Sequence, residues 1–293
     1  MLIYVTVPVK AMKPVKITGD TCYVPGITNV MIYKDVMVDP SNNENIDWDN
    51  IDGFGSAFIT HGHTDHFWNG AKLRSKGTKI YAPRDERGFI ENTELNTNGI
   101  FCWAKPPDSM LPWFFKGNPC PVDGTIESLE DMPLKAVPLP GHTQWQVGYM
   151  TPDGVLMVSD AVVTEKIWET KRMVYYTSPM LARDTLEYIM DSDAEWILPS
   201  HGELMSKDDA IELCEVNLHG IRSIEKAVVE VLGRGESSTE DMVYGVAMKL
   251  KVRNDFSMHL IAETTVRSFL HMLYNRGVVD YRLIDHKVLW KMK

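Results

Sequence analysis

The sequence predicts an α+β protein in which sheets carry helices on their outer faces, followed by a small C-terminal domain. Three observations predict it. Short β-branched and aromatic runs separated by turn dipeptides fill residues 1 to about 60, strand and helix patterns alternate up to about 205, and the periodicity beyond is helical.

The first runs cover 2–9, 21–24, 29–33 and 36–38, with Pro25-Gly26 and Asp39-Pro40 as turn signals. A fifth, 56–60, ends in a group of histidines. A helix pattern follows His66 to Leu73, then come strands at 79–82 and 134–138, and a hairpin through Asp153-Gly154 into a strand at 155–159. A helix near 181–190 and a strand at 196–199 complete this part. Ser206 and Asp209 make a capping-box-like start for a helix whose Ile211, Cys214, Leu218, Ile221 and Val228 keep helical spacing until Gly233 and Gly235. Residues 233–238 read as a linker. Val243, Val246, Ala247 and Leu250 mark one further helix, and Val266, Phe269, Leu270 and Leu273 mark another ending at Asn275 to Gly277. Strands at 278–284 and 288–291 then flank Asp285-His286. Two helices and a terminal hairpin in the last 57 residues predict a winged helix. The expected divisions are 1–205, a connecting helix and linker at 206–236, and 237–293.

A chain of 293 residues with 44% hydrophobic and 24% charged residues has the balance of a folded protein, which excludes disordered and fibrous classes. The net charge of −10 is unevenly placed: residues 237–293 hold 9 Lys+Arg and 6 Asp+Glu, so the tail carries +3 and the body −13. An acidic body is a poor partner for nucleic acid, and the question stays open for the tail. Cys22, Cys102, Cys120 and Cys214 form no CxxC pair, which argues against a zinc finger or disulfide scaffold and fits a reducing cytoplasm. No run approaches the ~20 apolar residues of a membrane span, and the opening stretch lacks the marks of a leader. A cytoplasmic protein with no membrane partner is expected.

The chemistry concentrates in His61-Gly62-His63-Thr64-Asp65-His66, where a strand ends and a helix begins: three of the nine histidines fall in six residues. His61 and His63 can aim at one ion, while Asp65 and His66 point towards a neighbouring one. Imidazole nitrogen suits borderline-soft divalent metals, and carboxylate adds charge neutralisation. Three further signals each follow a strand: Pro140-Gly141-His142-Thr143, Ser159-Asp160 and Pro199-Ser200-His201-Gly202.

In the order and type of these motifs, residues 1 to about 205 resemble the metallo-β-lactamase-fold hydrolases. The resemblance implies an αββα sandwich with a dinuclear site at one edge of its two sheets. It implies that His61, His63 and His142 bind one metal, that Asp65, His66 and His201 bind a second, and that Asp160 bridges them. It also matches Asp39 to a buried aspartate that orients neighbouring groups. Two divalent ions are expected, zinc first, with iron or manganese able to take the same ligands. A metal pair lowers the pKa of bound water from 15.7 to about 7. The expected reaction is attack by a metal-bridging hydroxide on an ester, thioester or lactone of small-molecule size, with Asp65 as the catalytic carboxylate.

Two alternatives accompany this reading. Some β-lactamase-like relatives with a winged helix are single-strand-specific endoribonucleases, and the tail offers Arg267, His271 and Arg276 for RNA, a sparse set that leaves RNA unfavoured. Persulfide dioxygenases bind one iron on the same fold. A homodimer is expected, with the tail closing the site or pairing subunits.

Weaker signals are the aromatic stretch 99–123, with Phe101, Trp103, Trp113, Phe114 and Phe115, read as packing, a subunit contact or a lid. Tyr175 and Tyr176 read as one core and one surface aromatic, and Lys171-Arg172 as a solvated pair. His219, His259, His271 and His286 fall outside the ligand pattern.

Overall fold

The computed structural model describes residues 11–111 and 116–293. The chain divides into two compact units: Met1–Leu139, Trp145–Asp160 and Ser192–Ala210 in the first, and Pro140–Gln144, Ala161–Asp191 and Ile211–Lys293 in the second. The expected strand at 2–9, Trp113, Phe114 and Phe115 lie outside the described residues.

The first unit holds a seven-stranded sheet, β1 (Val15–Thr18), β2 (Thr21–Val24), β3 (Val30–Tyr33), β4 (Val36–Val38), β5 (Ser56–Phe58), β6 (Lys79–Ala82) and β7 (Gly124–Thr125), in sequential order. Its first half is an antiparallel meander, and from β4 to β7 the strands run parallel. A five-stranded sheet comprises β8 (Lys135–Pro138), β9 (Val147–Met150), β10 (Val155–Ser159), β11 (Trp196–Pro199) and β12 (Met205–Ser206), with β10 and β11 parallel.

Alternation along β3 shows why two sheets form. Val30 and Ile32 enter a cluster with Phe67, Leu73 and Ile90 of the covering helices, while Met31 and Tyr33 enter one with Val147, Tyr149, Val155 and Met157 of the other sheet. Period-two side chains that are apolar on both faces must be covered on both faces. The α+β class and the sheet-on-sheet core expected from the sequence are present.

Local differences from the sequence reading have identifiable causes. The helix expected from His66 to Leu73 is two short ones, α1 (Thr64–Phe67) and α2 (Gly70–Ser75). Between them Asn69 turns its N–H to the Pro40 carbonyl at 2.9 Å and its side-chain amide to Ser41, which draws the chain out of helical register. Strand β5 stops at Phe58 instead of residue 60, because the Thr60 N–H leaves the ladder for the Asp39 carboxylate at 2.8 Å. Helices α3 (Arg87–Glu91) and α4 (Glu94–Ile100) occupy a stretch with no clear apolar period.

The second unit contains α5 (Glu165–Lys171), α6 (Pro179–Asp191), most of α7 (Lys207–Leu232), β13 (Ser237–Ser238), α8 (Thr239–Leu250), α9 (Phe256–Asn275), β14 (Val279–Ile284) and β15 (Lys287–Met292). Ser238 and Asp255 cap α8 and α9 by accepting from Asp241 N and Met258 N. The expected linker ends in β13, which pairs with β15 to give a sheet ordered β13-β15-β14. Among the described residues no helix is long and apolar enough to cross a membrane.

Asn217 is the polar anchor of this unit. Fully buried on α7, its amide donates to the Val163 and Leu213 carbonyls at 2.8 Å, while its Oδ1 accepts from Val163 N at 3.1 Å and Trp168 Nε1 at 3.2 Å. Asn217→Ala strands the Val163 amide groups in the interior and removes the acceptor of the half-buried Trp168 indole. It is expected to cost about 3 kcal/mol in urea unfolding, and a loss below about 1 kcal/mol would show that water replaces the amide.

Candidate metal site

The site lies at the C-terminal ends of two parallel strand pairs in the first unit, where backbone direction turns successive loops towards one edge. Asp39 follows β4, His61 follows β5, Asp160 follows β10 and His201 follows β11. Two of these exits use left-handed backbone at non-glycine residues, Asp39 at φ 53° and Ser159 at φ 54°. Such conformations cost about 1–3 kcal/mol each and persist where the surroundings determine them. At Ser159 the β10–β11 register also shifts, which turns Asp160 towards the site.

The loop carrying the first motif is clamped. Glu86, itself buried, accepts the Gly62 N–H at 2.9 Å, and Asn96 donates its side-chain amide to the Gly62 carbonyl. A Cβ at Gly62 would stand 2.5 Å from Phe89 Cβ, so only glycine fits between the two histidines.

Two sets of ligand atoms result. His61, His63 and Asp160 form one and Asp65, His66 and His201 the other, and within each set the atoms lie within 4.8 Å of one another. His61 Nε2 stands 3.1 Å from His63 Nδ1. Asp160 sends Oδ2 towards His66 Nε2 at 3.5 Å and Oδ1 towards His201 Nε2 at 3.6 Å, and Asp65 Oδ2 lies 3.6 and 3.3 Å from the same two nitrogens. His142, on the turn Pro140–Gln144 of the second unit, directs Nδ1 to the Tyr175 carbonyl at 3.2 Å, with the Tyr175 ring edge-on to it.

The surrounding groups hold the ligands from behind. Asp39, fully buried, accepts His66 Nδ1–H, the Thr60 hydroxyl and the Thr60 N–H, each at 2.8 Å. Ile27 accepts from His201 Nδ1 at 2.6 Å, and the Thr28 hydroxyl donates to Asp65 Oδ2 at 3.2 Å. Loop 25–29 is pinned in turn by Asn29, whose amide reaches the Pro199 and Gly202 carbonyls, and by Asn43, which reaches those of Val24 and Thr28.

Electrostatics favour a cation here. Among the described residues the buried His66 Nε2 has no hydrogen-bond partner although two carboxylates lie within 3.6 Å, an arrangement that suits a ligand nitrogen. Burial alone opposes charge on His66, yet Asp65, Asp160 and Asp39 outweigh it and hold its pKa well above the usual value. Burial likewise opposes charge on His201, and Asp160 and Asp65 overcome it, so this imidazole is pushed up to about 9. Burial works against ionisation of Asp65, but His66 and His201 keep it far below the ordinary carboxylate range. Asp39 is raised, chiefly by burial, with His66 opposing. Protons on the imidazoles thus stand where divalent charge would stand, and the donor set of imidazoles and carboxylates fits such ions.

Of the seven ligands expected from sequence, six are gathered in the first unit in the two sets, and His142 stands in the second. Tyr176 is buried and Tyr175 half-buried, while Trp103 is 69% exposed. Thr60, Glu86, Asn96, Asn29 and Asn43 were not singled out by sequence; their partners, apart from the Asp39 matched by resemblance, carry no local pattern.

Comparison with known proteins agrees with the geometry. The model of the Metallo-beta-lactamase superfamily matches residues 56–201. A beta-lactamase domain protein from Burkholderia ambifaria superposes with a TM-score of 0.69 at 16% identity, over 96% of this chain and 94% of that one. A metallo-beta-lactamase family protein from Thermus thermophilus gives 0.63 at 15% identity, over 96% and 97%. An archaeal metallo-beta-lactamase superfamily protein from Sulfolobus tokodaii gives 0.53 at 16% identity, over 69% and 87%. No curated protein matches the chain.

The raised His201 pKa has a consequence for the metal-stripped protein. A group whose folded pKa lies above its unfolded value of about 6.5 stabilises fully below that value, and the contribution disappears as pH rises through the folded value. The urea midpoint of the stripped protein is therefore expected to fall between pH 6.5 and about 9. A midpoint flat across that interval would show that the carboxylates do not hold the imidazole proton.

Proposed function

From the premise that the chain belongs to the metallo-beta-lactamase superfamily and is a hydrolase of that superfamily, we propose a dinuclear site that hydrolyses a small-molecule ester, thioester or lactone. The observation that carries this reading is the pair of ligand sets, whose carboxylates Asp65 and Asp160 both approach His66 and His201. Two sets favour two ions over the single iron of a dioxygenase. His142, an expected ligand of the second unit, directs Nδ1 to the Tyr175 carbonyl, which makes Nε2 its ligand atom. Asp160, in the first set with both oxygens turned towards the second, would bridge the two ions.

Bound divalent ions, zinc first with iron or manganese compatible, supply Lewis acidity that lowers the pKa of a coordinated water to about 7 and polarises the bond under attack. The chain's own contribution is orientation. Asp65, ionised and fixed by the Thr28 hydroxyl, accepts a hydrogen bond from the attacking water and aligns it. His61 and His66 are fully buried, whereas His63, Asp65, Asp160 and His201 are partly exposed and within reach of a substrate.

We assign residues 237–293, with the strand–helix–helix–strand–strand order of β13 to β15, to a winged-helix-like domain that follows the connecting helix α7 and pairs subunits in a homodimer. Its Arg267, Arg276 and Arg282 pair with Glu263, Glu225 and Glu236, which supports a small-molecule substrate over RNA.

The test is metal content by plasma emission with an ester, thioester, lactone and single-stranded RNA panel. Wild type is expected to hold two ions per chain. His63→Ala is expected to lose at least one and to lower hydrolysis by more than about a hundredfold. Full metal content in that variant would remove His63 from the site, and cleavage of RNA alone would replace the proposed substrate class.

A further inference from the structure

A metal ligand must turn the right ring nitrogen towards the ion, and the partner of its other nitrogen decides which one that is. His66 Nδ1 meets a carboxylate, His201 Nδ1 the Ile27 carbonyl and His142 Nδ1 the Tyr175 carbonyl. These oxygens only accept, so hydrogen sits on Nδ1 and Nε2 is left to bind.

His61 is different. Its Nδ1 meets two hydroxyls, Thr60 Oγ1 at 3.1 Å and Ser159 Oγ at 3.3 Å, and a hydroxyl can give or accept. A hydroxyl donating to Nδ1 would move the ring hydrogen to Nε2, the nitrogen beside His63.

Asp39 resolves the ambiguity. Its Oδ2 lies 2.8 Å from Thr60 Oγ1 and takes the single hydroxyl hydrogen of Thr60. Thr60 then has only lone pairs to offer. One faces Ser159 Oγ at 2.8 Å, which turns its own hydrogen inward, and the other faces His61 Nδ1, which must donate. Ser200 Oγ, 3.4 Å from Ser159 Oγ, supplies the hydrogen that ends the chain. All of these groups are buried in the first unit.

We propose that Thr60 is a positioning residue whose hydroxyl relays the charge of Asp39 to His61 and fixes the Nδ1–H tautomer that presents Nε2 to a metal ion. One carboxylate oxygen thereby orients a ligand of each set, His66 directly and His61 through Thr60. The inference rests on the metal-site reading above.

Two measurements on the full chain test it. Long-range proton–nitrogen correlation spectra of the metal-stripped protein report which His61 nitrogen carries hydrogen. Wild type and Thr60→Ser are expected to show Nδ1–H, and Thr60→Val a shift towards Nε2–H. Zinc competition with a chromophoric chelator is expected to show first-set binding weakened about 10- to 100-fold in Thr60→Val and restored in Thr60→Ser. Equal zinc affinity in wild type and Thr60→Val overturns the relay. Nε2–H on wild-type His61 overturns it without any variant, even if Thr60→Val does not fold. A wild type that takes up no zinc removes the metal-site reading instead, while the tautomer spectrum still judges the relay.

Discussion

The buried carboxylate of Asp39 is the constraint around which the first unit is arranged. A charge wholly removed from water is tolerated only when donors surround it, since the penalty otherwise amounts to several kcal/mol. The chain supplies three donors, and each one fixes an element. The Thr60 N–H is taken from the β5 ladder, which ends that strand and starts the ligand loop. The Thr60 hydroxyl is committed to Asp39 and so faces His61 as an acceptor. His66 is held on α1 through its Nδ1–H. Asp39 itself adopts a left-handed backbone to face these donors, a local cost offset by what it organises.

The opposite strand pair repeats the device with different chemistry. Ser159, also left-handed, brings a hydroxyl to Thr60 and turns Asp160 towards His66 and His201. Tyr149 ties the two sheets directly behind the site, its phenol donating to the Ile59 carbonyl at 3.0 Å while its ring packs edge-on to Phe58. Sheet-on-sheet cores are close-packed and resist sliding. The spacing of ligand atoms drawn from two sheets is therefore inherited from the apolar cluster between them, and no loop has to maintain it alone.

What was legible in the sequence follows from the range of each interaction. His61, His63, Asp65 and His66 share six residues, and chain geometry alone places them together. Asp160 and His201 each end an apolar run, so their position at a strand exit was readable too. Thr60, Glu86 and Asn96 were not readable, because a buried glutamate bound to a glycine N–H 24 residues away looks in sequence like any solvated acid. Asn29 depends on carbonyls 170 and 173 residues distant. The break between α1 and α2 was missed for the same reason: helical spacing continues through Trp68 and Asn69, and only the carbonyl of Pro40, brought near by the sheet, overrides it.

The acidity of the body acquires a local meaning at this site. Net charge averages over a surface, whereas Asp39, Asp65 and Asp160 converge within a few ångströms of His66. In the metal-free chain the three carboxylates hold protons on His66 and His201 against the pull of burial. A divalent ion held by these residues would take the place of those protons, so its binding would be linked to pH within a fixed negative frame. That frame concentrates at one place a negative charge that the net −10 of the chain otherwise spreads over its surface. For a metal ion the frame would supply attraction, and the orienting hydrogen bonds on the imidazoles would supply correctly turned nitrogens to retain it.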